Sequence, residues 1–346
     1  MAGLESVCIN WRSVAGGART GVQRYAMEVA KRLPVKARLL APDPRLRVPG
    51  IGHAWEQLAL PIMSRGEVLW SPCNLGPAVY ARQVVTVHDC APADHPEWFS
   101  RRFSGYYHRL WSRLLPRVRC VLADSVHTRQ RILSLFSVPE SQVRVVYPGV
   151  SEAFLEPGSV AMPGDLQALQ LPSRYVLCLG SVEPRKNLPN LMRAWAQIAD
   201  SHPGVELLIV GGRGPQHIFS AVRLDAEVKR VRFLGRVADE LLPVLYAQAE
   251  AFVYPSLYEG FGLPPLEAMA AGAPVVCSNR TSLPEVVGDA AVQVNPDSVS
   301  DIGAGIDAVL SDGSLRSVLR VRGRARAARF TWGACARQIA AILEAC

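Results

Sequence analysis

Short apolar runs alternate with amphipathic stretches along the whole chain. In the first half, residues 7–10, 84–89 and 120–125 have the length and the β-branched content of buried strands. Residues 22–33 carry apolar side chains at helical spacing. Strands that alternate with helices are typical of parallel sheets with crossover helices, so we expect an α/β fold.

The second half repeats this alternation after a linker rich in glycine and proline, at about residues 156–172. A helix is expected from about residue 188 to 201, among five predicted strands: 175–181, 206–212, 231–235, 251–254 and 273–277. A chain of 346 residues suits two domains of roughly 150 residues each. We therefore predict two doubly wound, Rossmann-like domains, residues 1–165 and 166–330, facing a central cleft.

The composition and charge narrow the class of protein. Apolar residues make up 49% of the chain, which excludes disorder, and no apolar run approaches the ~18–20 residues of a spanning helix. The start of the chain lacks the features of a signal peptide, so we expect a cytoplasmic protein, soluble or peripheral on a membrane.

Residues 1–150 carry 20 Lys and Arg against 10 Asp and Glu, whereas residues 151–346 carry 18 against 20. The first half is therefore the one expected to meet an anionic partner.

Eight cysteines are scattered without any Cys-x-x-Cys spacing. Several lie inside strand-like apolar runs, as Cys178 and Cys277 do. We expect buried thiols in a reducing compartment, and neither a disulfide framework nor a zinc site.

Residues 254–277 carry the strongest chemical signal. Glu259 and Glu267 lie on either side of a Gly-Phe-Gly loop, and Pro264 and Pro265 mark the start of a helix. We expect Glu267 in the first turn of this helix, with the backbone N–H groups of residues 260–263 pointing out of its start. Such donors beside two carboxylates suit a phosphate next to sugar hydroxyls. The alternative is an ordinary turn whose carboxylates face solvent.

A basic pair, Arg185 and Lys186, lies in the loop that follows the first strand of the second domain. A guanidinium and an ammonium at the carboxyl end of a strand suit a diphosphate, although a solvated pair is the alternative. His88 ends a strand of the first domain, where it could touch the substrate or be purely structural. The loop from Gly16 to Gly21 could bring backbone close to a phosphate.

Neither glycine-rich loop has the dinucleotide fingerprint. Residues 16–21 do not read G-x-G-x-x-G, and residues 211–214 are not followed by the acidic residue that a nicotinamide site needs. A nicotinamide-dependent dehydrogenase is therefore disfavoured.

Residues 101–119 predict a helix with one aromatic and apolar face and one arginine-rich face. Packing on its own sheet is the simpler role. A basic aromatic helix can also lie on an anionic membrane.

The chain resembles the retaining glycosyltransferases of family 4, which have the GT-B fold. The resemblance covers nearly the whole length and rests on six motifs: Thr20–Tyr25, Val87–Asp89 with His95–Phe99, Ala123–Thr128, Val146–Val150, Glu183–Asn187 and Glu259–Glu267. It implies a nucleotide-sugar donor bound in the second domain. It also implies that a last helix, residues 331–346, starts at Thr331-Trp332 and returns to the first domain.

The resemblance also implies roles for single residues. Lys186 and Arg185 would hold the donor diphosphate, and His88 would contact the sugar from the first domain. Glu259 and the backbone of the following loop would hold the transferred sugar and the distal phosphate; the loop residues are Gly260, Phe261, Gly262 and Leu263.

The nucleotide would be bound by other positions. Glu267 would bind the ribose, Val237 would border the base, and the Gly21 loop would close on the phosphates. Related loops often carry a basic residue where Ser181 stands, so phosphate binding would depend more on Arg185 and Lys186.

The motifs resemble most those of the mannosyl- and rhamnosyltransferases of bacterial surface polysaccharides, which often use GDP-linked donors. We therefore expect transfer of such a hexose to a lipid-linked or oligosaccharide acceptor in O-antigen or exopolysaccharide synthesis. The alternatives are a UDP- or dTDP-sugar donor, a nucleotide-sugar epimerase of similar fold, a nucleic-acid binder and a catalytically silent scaffold. No nucleic-acid-binding motif is present, so nucleic acid is not an expected partner.

The expected chemistry needs neither a metal nor a cofactor, because no Asp-x-Asp motif is placed to hold a metal between phosphates. Lys186, Arg185 and the helix start would stabilise the departing nucleoside diphosphate. Glu259 is the only evident carboxylate for a double displacement. We favour same-face attack assisted by the donor's own phosphate oxygen, with Glu259, His88 and Lys186 as the catalytic candidates.

Overall fold

The computed structural model describes residues 6–16, 20–46, 48, 50–156, 167–212, 214, 217–224 and 228–346. The chain forms two compact units. Unit 1 comprises Met1–Pro96, Arg101–Gly149 and Phe330–Cys346, and unit 2 comprises Glu97–Ser100 and Val150–Arg329. The domain boundary predicted between residues 165 and 166 touches a stretch, 157–166, that lies outside the described residues.

Unit 1 contains a parallel six-stranded sheet in the order β2-β1-β3-β4-β5-β6. The strands are β1 (Val7–Asn10), β2 (Ala37–Leu40), β3 (Val68–Ser71), β4 (Gln83–Val87), β5 (Cys120–Ala123) and β6 (Val143–Val145). The three strands predicted in this half are confirmed as β1, β4 and β5. The chain order reverses between β1 and β3, so the carboxyl ends of these strands form the switch point of the sheet.

Five helices of unit 1 connect these strands. They are α1 (Gly21–Ala30), α2 (Ile51–Met63), α3 (Ala91–Asp94), α4 (Arg101–Leu114) and α5 (Val126–Leu135). Helix α1 ends three residues before the predicted end at Leu33. Pro34 explains the difference, because a residue before proline avoids helical dihedral angles.

Helix α4 is the basic aromatic segment, and its apolar face packs on its own sheet. Leu110, Trp111 and Leu114 are buried in a core that includes Val85 and Val121. The opposite face exposes arginines, at positions 101, 102, 109 and 113. The helix is shorter than predicted, since a 3₁₀ turn at Leu115–Arg117 follows it around a proline that lacks a backbone donor.

Unit 2 contains a second parallel six-stranded sheet, in the order β12-β11-β10-β7-β8-β9. The strands are β7 (Arg174–Leu179), β8 (Val205–Val210), β9 (Val231–Gly235), β10 (Ala251–Tyr254), β11 (Val275–Ser278) and β12 (Val292–Val294). All five strands predicted in this half are confirmed. The chain winds outwards in both directions from β7 and β10, which are neighbours, so the loops after these strands adjoin.

The helices of unit 2 include α6 (Glu152–Leu155), α7 (Leu188–Ile198), α8 (Leu242–Gln248), α9 (Leu263–Ala271), α10 (Leu283–Val287), α11 (Val299–Ser311) and α12 (Gly313–Ala327). Arginine side chains of α12 donate hydrogen bonds to the last carbonyl groups of three neighbouring helices. Arg320 donates to Gly272 O, at the end of α9, over 2.7 Å. Arg326 donates to Val286 O in α10 over 2.8 Å, and Arg316 donates to Leu310 O in α11 over 2.6 Å. These arginines place positive charge at the negative carboxyl ends of α9, α10 and α11. The contact from Arg320 also fixes the carboxyl end of α9.

The last helix, α13 (Trp332–Glu344), belongs to unit 1, which confirms its expected return to the first domain. Thr331 caps it by accepting a hydrogen bond from Ala334 N at 3.2 Å. The Trp332 ring packs edge-on against Tyr25 of α1 at 5.9 Å. Gly149 permits this approach, because a Cβ there would lie 2.1 Å from Trp332 N.

None of the helices in the described ranges combines the length and the apolar character needed to cross a bilayer.

Candidate active site

A buried ion pair lies where the two central strands of unit 2 end. Lys186 follows β7 in a 3₁₀ turn, and its Nζ lies 2.7 Å from Glu259 Oε1 in the loop after β10. Tyr254, the last residue of β10, accepts from Lys186 Nζ at 2.5 Å and donates to Glu259 Oε1 at 2.9 Å. All three side chains are buried. The structure therefore brings together the basic loop and the acidic loop, as the sequence predicts.

Backbone contacts tie these two loops to each other. Leu257 N donates to Arg185 O over 2.8 Å, and Asn187 Nδ2 donates to Pro255 O over 3.1 Å. Asn187 adopts the left-handed conformation (φ +58°), which asparagine tolerates better than most residues. Gly180 leaves room for the lysine, since a Cβ there would lie 3.2 Å from Lys186 Cγ.

Glu259 is held in its ionised form. Burial alone would raise the pKa of this carboxyl, but the charges of Lys186 and Arg185 outweigh burial and lower the pKa below its ordinary value. Arg185 Nη1 lies 3.4 Å from Glu259 Oε2, while its Nε donates to Glu183 Oε1 at 2.5 Å. Both oxygens of Glu259 thus face donors, which suits an acceptor of sugar hydroxyl hydrogen bonds more than a proton donor.

The start of α9 lies directly after this carboxylate. Gly262 is its N-cap with φ +106°, and a Cβ there would lie 2.5 Å from Leu283 Cδ2. Within the described chain, the backbone N–H groups of Gly262 and Leu263 donate to no other backbone group. The next two residues, Pro264 and Pro265, have no N–H. The helix start therefore offers two backbone donors beside Glu259.

Glu267 lies one turn further along α9 than predicted. The helix begins at Leu263, so its first turn contains the two prolines and no acidic residue. The expectation of a first-turn position was wrong, because Leu263, Pro264 and Pro265 already fill the first turn and Glu267 follows it. Glu267 is buried, and its Oε2 accepts from Tyr246 OH at 3.3 Å.

Two further candidate positions, Val237 and Gly21, lie away from the ion pair in the fold, and Gly211 belongs to the glycine-rich stretch without the dinucleotide fingerprint. Val237 is half-buried in the loop after β9, the edge strand of unit 2. Gly21 begins α1 in unit 1 and is exposed, and residues 17–19 of its loop lie outside the described residues. Gly211 packs against the Gly180 carbonyl, which a Cβ would approach to 2.2 Å, so close backbone packing explains this glycine.

His88 follows β4 in unit 1, where it is buried. Its Nδ1 lies 2.6 Å from Asp124 Oδ2, and its Nε2 lies 2.7 Å from Pro72 O. Pro72 O only accepts, so Nε2 carries a proton, and an ionised Asp124 holds a second proton on Nδ1, which makes the ring an imidazolium. Burial disfavours this imidazolium, but the Asp124 charge outweighs burial and raises the pKa of His88. A sugar contact through either nitrogen requires exchange of one of these partners.

Comparison with known proteins decides the family. The family model of the group 1 glycosyl transferases matches residues 167–326, and that of glycosyltransferase family 4 matches residues 63–154. The O-antigen chain mannosyltransferase B of Escherichia coli is 38% identical over 261 residues, which are 74% of this chain and 68% of that protein. The chain belongs to glycosyltransferase family 4. It is therefore a glycosyltransferase, and the epimerase and scaffold alternatives are set aside.

Other relatives of this glycosyltransferase match over smaller shares of their length. The mannosyltransferase RfbU of Salmonella typhimurium is 32% identical, over 62% of this chain and 57% of that protein. The serotype-specific mannosyltransferase WbdA of Escherichia coli is 31% identical, over 62% of this chain but only 27% of that protein.

Solved structures show that the glycosyltransferase has the GT-B fold. HepE from Anabaena superposes with a TM-score of 0.75 over 99% of this chain and 100% of that one, at 18% identity. WaaG, a glycosyltransferase of lipopolysaccharide biosynthesis, superposes with a TM-score of 0.71 over 98% of this chain and 99% of that one, at 16% identity.

Tyr254 was missed by sequence reasoning, although it touches both members of the ion pair. Its place at the end of a buried strand, directly before Pro255, was the available signal. Burial raises the pKa of Tyr254 well above its ordinary value, so the hydroxyl stays a donor to Glu259. Ser282 was also missed. Its Oγ donates to Glu259 O over 2.9 Å and so stabilises the loop that carries Glu259.

Among the described residues, no group of three or more His, Cys, Asp and Glu side chains is placed to hold a metal ion. The eight cysteine thiols are free, and seven of them are buried.

Proposed function

We propose that this glycosyltransferase moves a mannose- or rhamnose-type hexose from a GDP-linked donor to a lipid-linked or oligosaccharide acceptor in O-antigen or exopolysaccharide synthesis. The observation that carries the proposal is the buried Lys186–Glu259 pair beside the start of α9. The names of the three mannosyltransferase relatives support the sugar and the pathway.

The donor site requires positive charge for the diphosphate and acceptors for hydroxyl groups. Lys186 and Arg185 supply cations, and the N–H groups of Gly262 and Leu263 supply backbone donors for a phosphate oxygen. Glu259, ionised by its neighbours, accepts from sugar hydroxyls. Glu267, one turn further along α9, accepts from the ribose, and Val237 borders the base.

The reaction proceeds with retention by attack on the same face of the sugar. The acceptor oxygen forms its bond to the anomeric carbon as the bond from that carbon to the phosphate oxygen breaks. The acceptor proton passes to the departing phosphate, and Lys186 stabilises the negative charge that develops there. Glu259 is a poor nucleophile in this arrangement, because Lys186 and Tyr254 bind the same oxygen.

A UDP-sugar is the second candidate for the donor. The HepE structures contain UDP and UDP-glucose, but an identity of 18% carries the fold alone. The 38% identity to a mannosyltransferase favours the mannose-type sugar. The motifs of this chain resemble those of transferases that use GDP-linked donors, and this resemblance favours GDP as the nucleotide of the donor.

Unit 1 takes the acceptor in this proposal. Its arginine-rich face on α4 is exposed, which suits an anionic membrane surface and a lipid-linked glycan there. The protein would then work at the inner face of the cytoplasmic membrane as a peripheral enzyme.

A panel of radiolabelled donors tests the function. The purified protein would be incubated with GDP-mannose, dTDP-rhamnose, UDP-glucose and UDP-galactose, with hydrolysis and transfer measured for each. We expect turnover of GDP-mannose above the others, and loss of turnover in Lys186→Ala. Turnover of UDP-sugars alone would replace the proposed donor, and product of inverted configuration by NMR would overturn the retaining mechanism.

A further inference from the structure

One motif of the sequence has no role in the chemistry above. Residues 95–99, His-Pro-Glu-Trp-Phe, lie in the middle of the unit 1 sequence, between α3 and α4. Four residues of this region, Glu97–Ser100, nevertheless belong to unit 2. The chain therefore leaves unit 1 at Pro96 and rejoins it at Arg101.

Backbone hydrogen bonds fasten this four-residue segment to the loop after β8. Ser100 N donates to Ile218 O over 2.8 Å, and Ser220 N donates to Trp98 O over 2.9 Å. Phe99 thereby pairs with Phe219 in antiparallel fashion, and their rings lie 5.3 Å apart.

Side chains at both ends reinforce the pairing. Ser100 Oγ donates to His217 O over 2.9 Å, and Ser220 Oγ donates to Glu97 O over 2.7 Å. Four hydrogen bonds in so short a span fix the backbone of the segment that carries Trp98.

Trp98 contacts the loop of unit 2 that joins β10 to α9. Its ring meets Tyr258 edge-on, with centroids 6.5 Å apart and an angle of 78° between the planes. Tyr258 is buried and directly precedes Glu259 in the chain. The segment thus reaches a residue adjacent to the ion pair, although more than 150 positions separate the segment from Tyr258 in sequence.

We propose that Trp98 is a positioning residue for the donor sugar: it holds Tyr258, and through Tyr258 it sets the place of the Glu259 carboxylate. The role as a sugar contact of Glu259 rests on the proposed function, whereas the hold on the loop does not. An edge-on aromatic contact has a preferred geometry, so it limits rotation of the buried ring. A displacement of about 1 Å at a substrate-positioning group can reduce turnover on the order of 100-fold.

Three variants of the 346-residue protein test this role. Trp98→Ala removes the ring, Trp98→Phe keeps an aromatic edge, and Phe103→Ala removes a ring that pairs with Tyr107 in unit 1 at 4.6 Å. We expect Trp98→Ala to lower kcat/KM for donor hydrolysis at least about tenfold, with nucleoside diphosphate affinity within about twofold of wild type. Trp98→Phe should restore most of the loss, and Phe103→Ala should leave both quantities unchanged.

Amide hydrogen exchange followed by mass spectrometry tests the hold on the loop without any substrate. Trp98→Ala should speed exchange in peptides that cover residues 255–262 and leave those of β11 unchanged, and Trp98→Phe should reverse this. Unchanged exchange in residues 255–262 would overturn the proposal, whatever the substrate is. Faster exchange in a protein that binds no nucleotide sugar would count against the proposed function and leave the hold on the loop established.

Equal loss of nucleoside diphosphate affinity and turnover in Trp98→Ala would also overturn the positioning role, because the whole donor site would then depend on this ring.

Discussion

Lys186 Nζ lies 2.7 Å from Glu259 Oε1, so the cation assigned to the diphosphate is paired with the carboxylate assigned to the sugar. Each residue holds the other in place across two loops that are 73 positions apart in sequence. Removing either one leaves a buried charge without its nearest opposite charge.

Lys186→Ala is expected to raise the donor KM and to lower kcat on the order of 100-fold, because the lost cation strengthens its contact as the diphosphate departs. The variant should also lose about 3–5 kcal/mol of unfolding free energy, since Glu259 stays buried without its main partner. Steady-state kinetics and denaturant titration measure the two effects. Lys229→Ala, which removes the same charge from an exposed site of unit 2, is the control and should behave as wild type. Unchanged kinetics in folded Lys186→Ala would show that the diphosphate binds elsewhere.

The effects of removing Glu259 and Glu267 should differ between the bare nucleoside diphosphate and the intact donor. Glu267→Ala should weaken binding of the bare nucleoside diphosphate, because it removes the expected ribose contact. Glu259→Ala should spare that binding and lower turnover of the intact donor. Isothermal titration calorimetry with the nucleoside diphosphate, paired with donor hydrolysis rates, measures the difference. The reverse pattern would mean that the two assignments are exchanged.

The pair of His88 and Asp124 should make the stability of unit 1 depend on pH. The pKa of His88 is raised above its ordinary value of 6.5 in the folded protein. The contribution of the charged His88 to the unfolding free energy is therefore fully present below about pH 6.5. It is lost as pH rises through the raised pKa of His88 in the folded protein. The unfolding free energies of wild type and His88→Asn should converge over that range. NMR titration that places the His88 pKa at or below 6.5 would contradict this.

Donor turnover should survive chelation. The expected chemistry stabilises the departing diphosphate with Lys186, Arg185 and backbone donors, so EDTA should leave the rate within about twofold of the untreated enzyme. The same assay with added magnesium or manganese is the control. Complete loss in EDTA that either ion restores would exclude the proposed metal-free mechanism.

The arginine face of α4 should bind anionic vesicles. Each exposed basic residue near such a surface contributes about 1 kcal/mol, and the attraction falls as salt is added. Sedimentation with vesicles of anionic and of neutral lipid should show binding to the anionic ones alone. Charge reversal at Arg102, Arg109 and Arg113 should abolish this binding and leave donor hydrolysis intact. Failure of the wild type to bind anionic vesicles at low salt would favour a soluble acceptor.

Much of the fold follows from the pattern of apolar residues. Buried parallel strands are continuous apolar runs, and amphipathic helices have a period of 3.6, so both are local signals that need no tertiary information. Eight strands were predicted in this way. The predicted ends of α1 and α4 were less accurate, and so was the predicted position of Glu267 in α9. The reason is that the effect of a proline on a helix depends on which turn the proline occupies.

The sequence by itself determined the two parallel sheets, the family and the placing of Lys186 and Glu259 on neighbouring loops. Each of these depends on periodicity, on strand order or on a contiguous motif. Only the tertiary structure decided that Tyr254 lies between the two charges, that His88 faces two acceptors, and that Trp98 rests on Tyr258. These contacts join positions distant along the chain, and they depend on side-chain directions that no local pattern encodes.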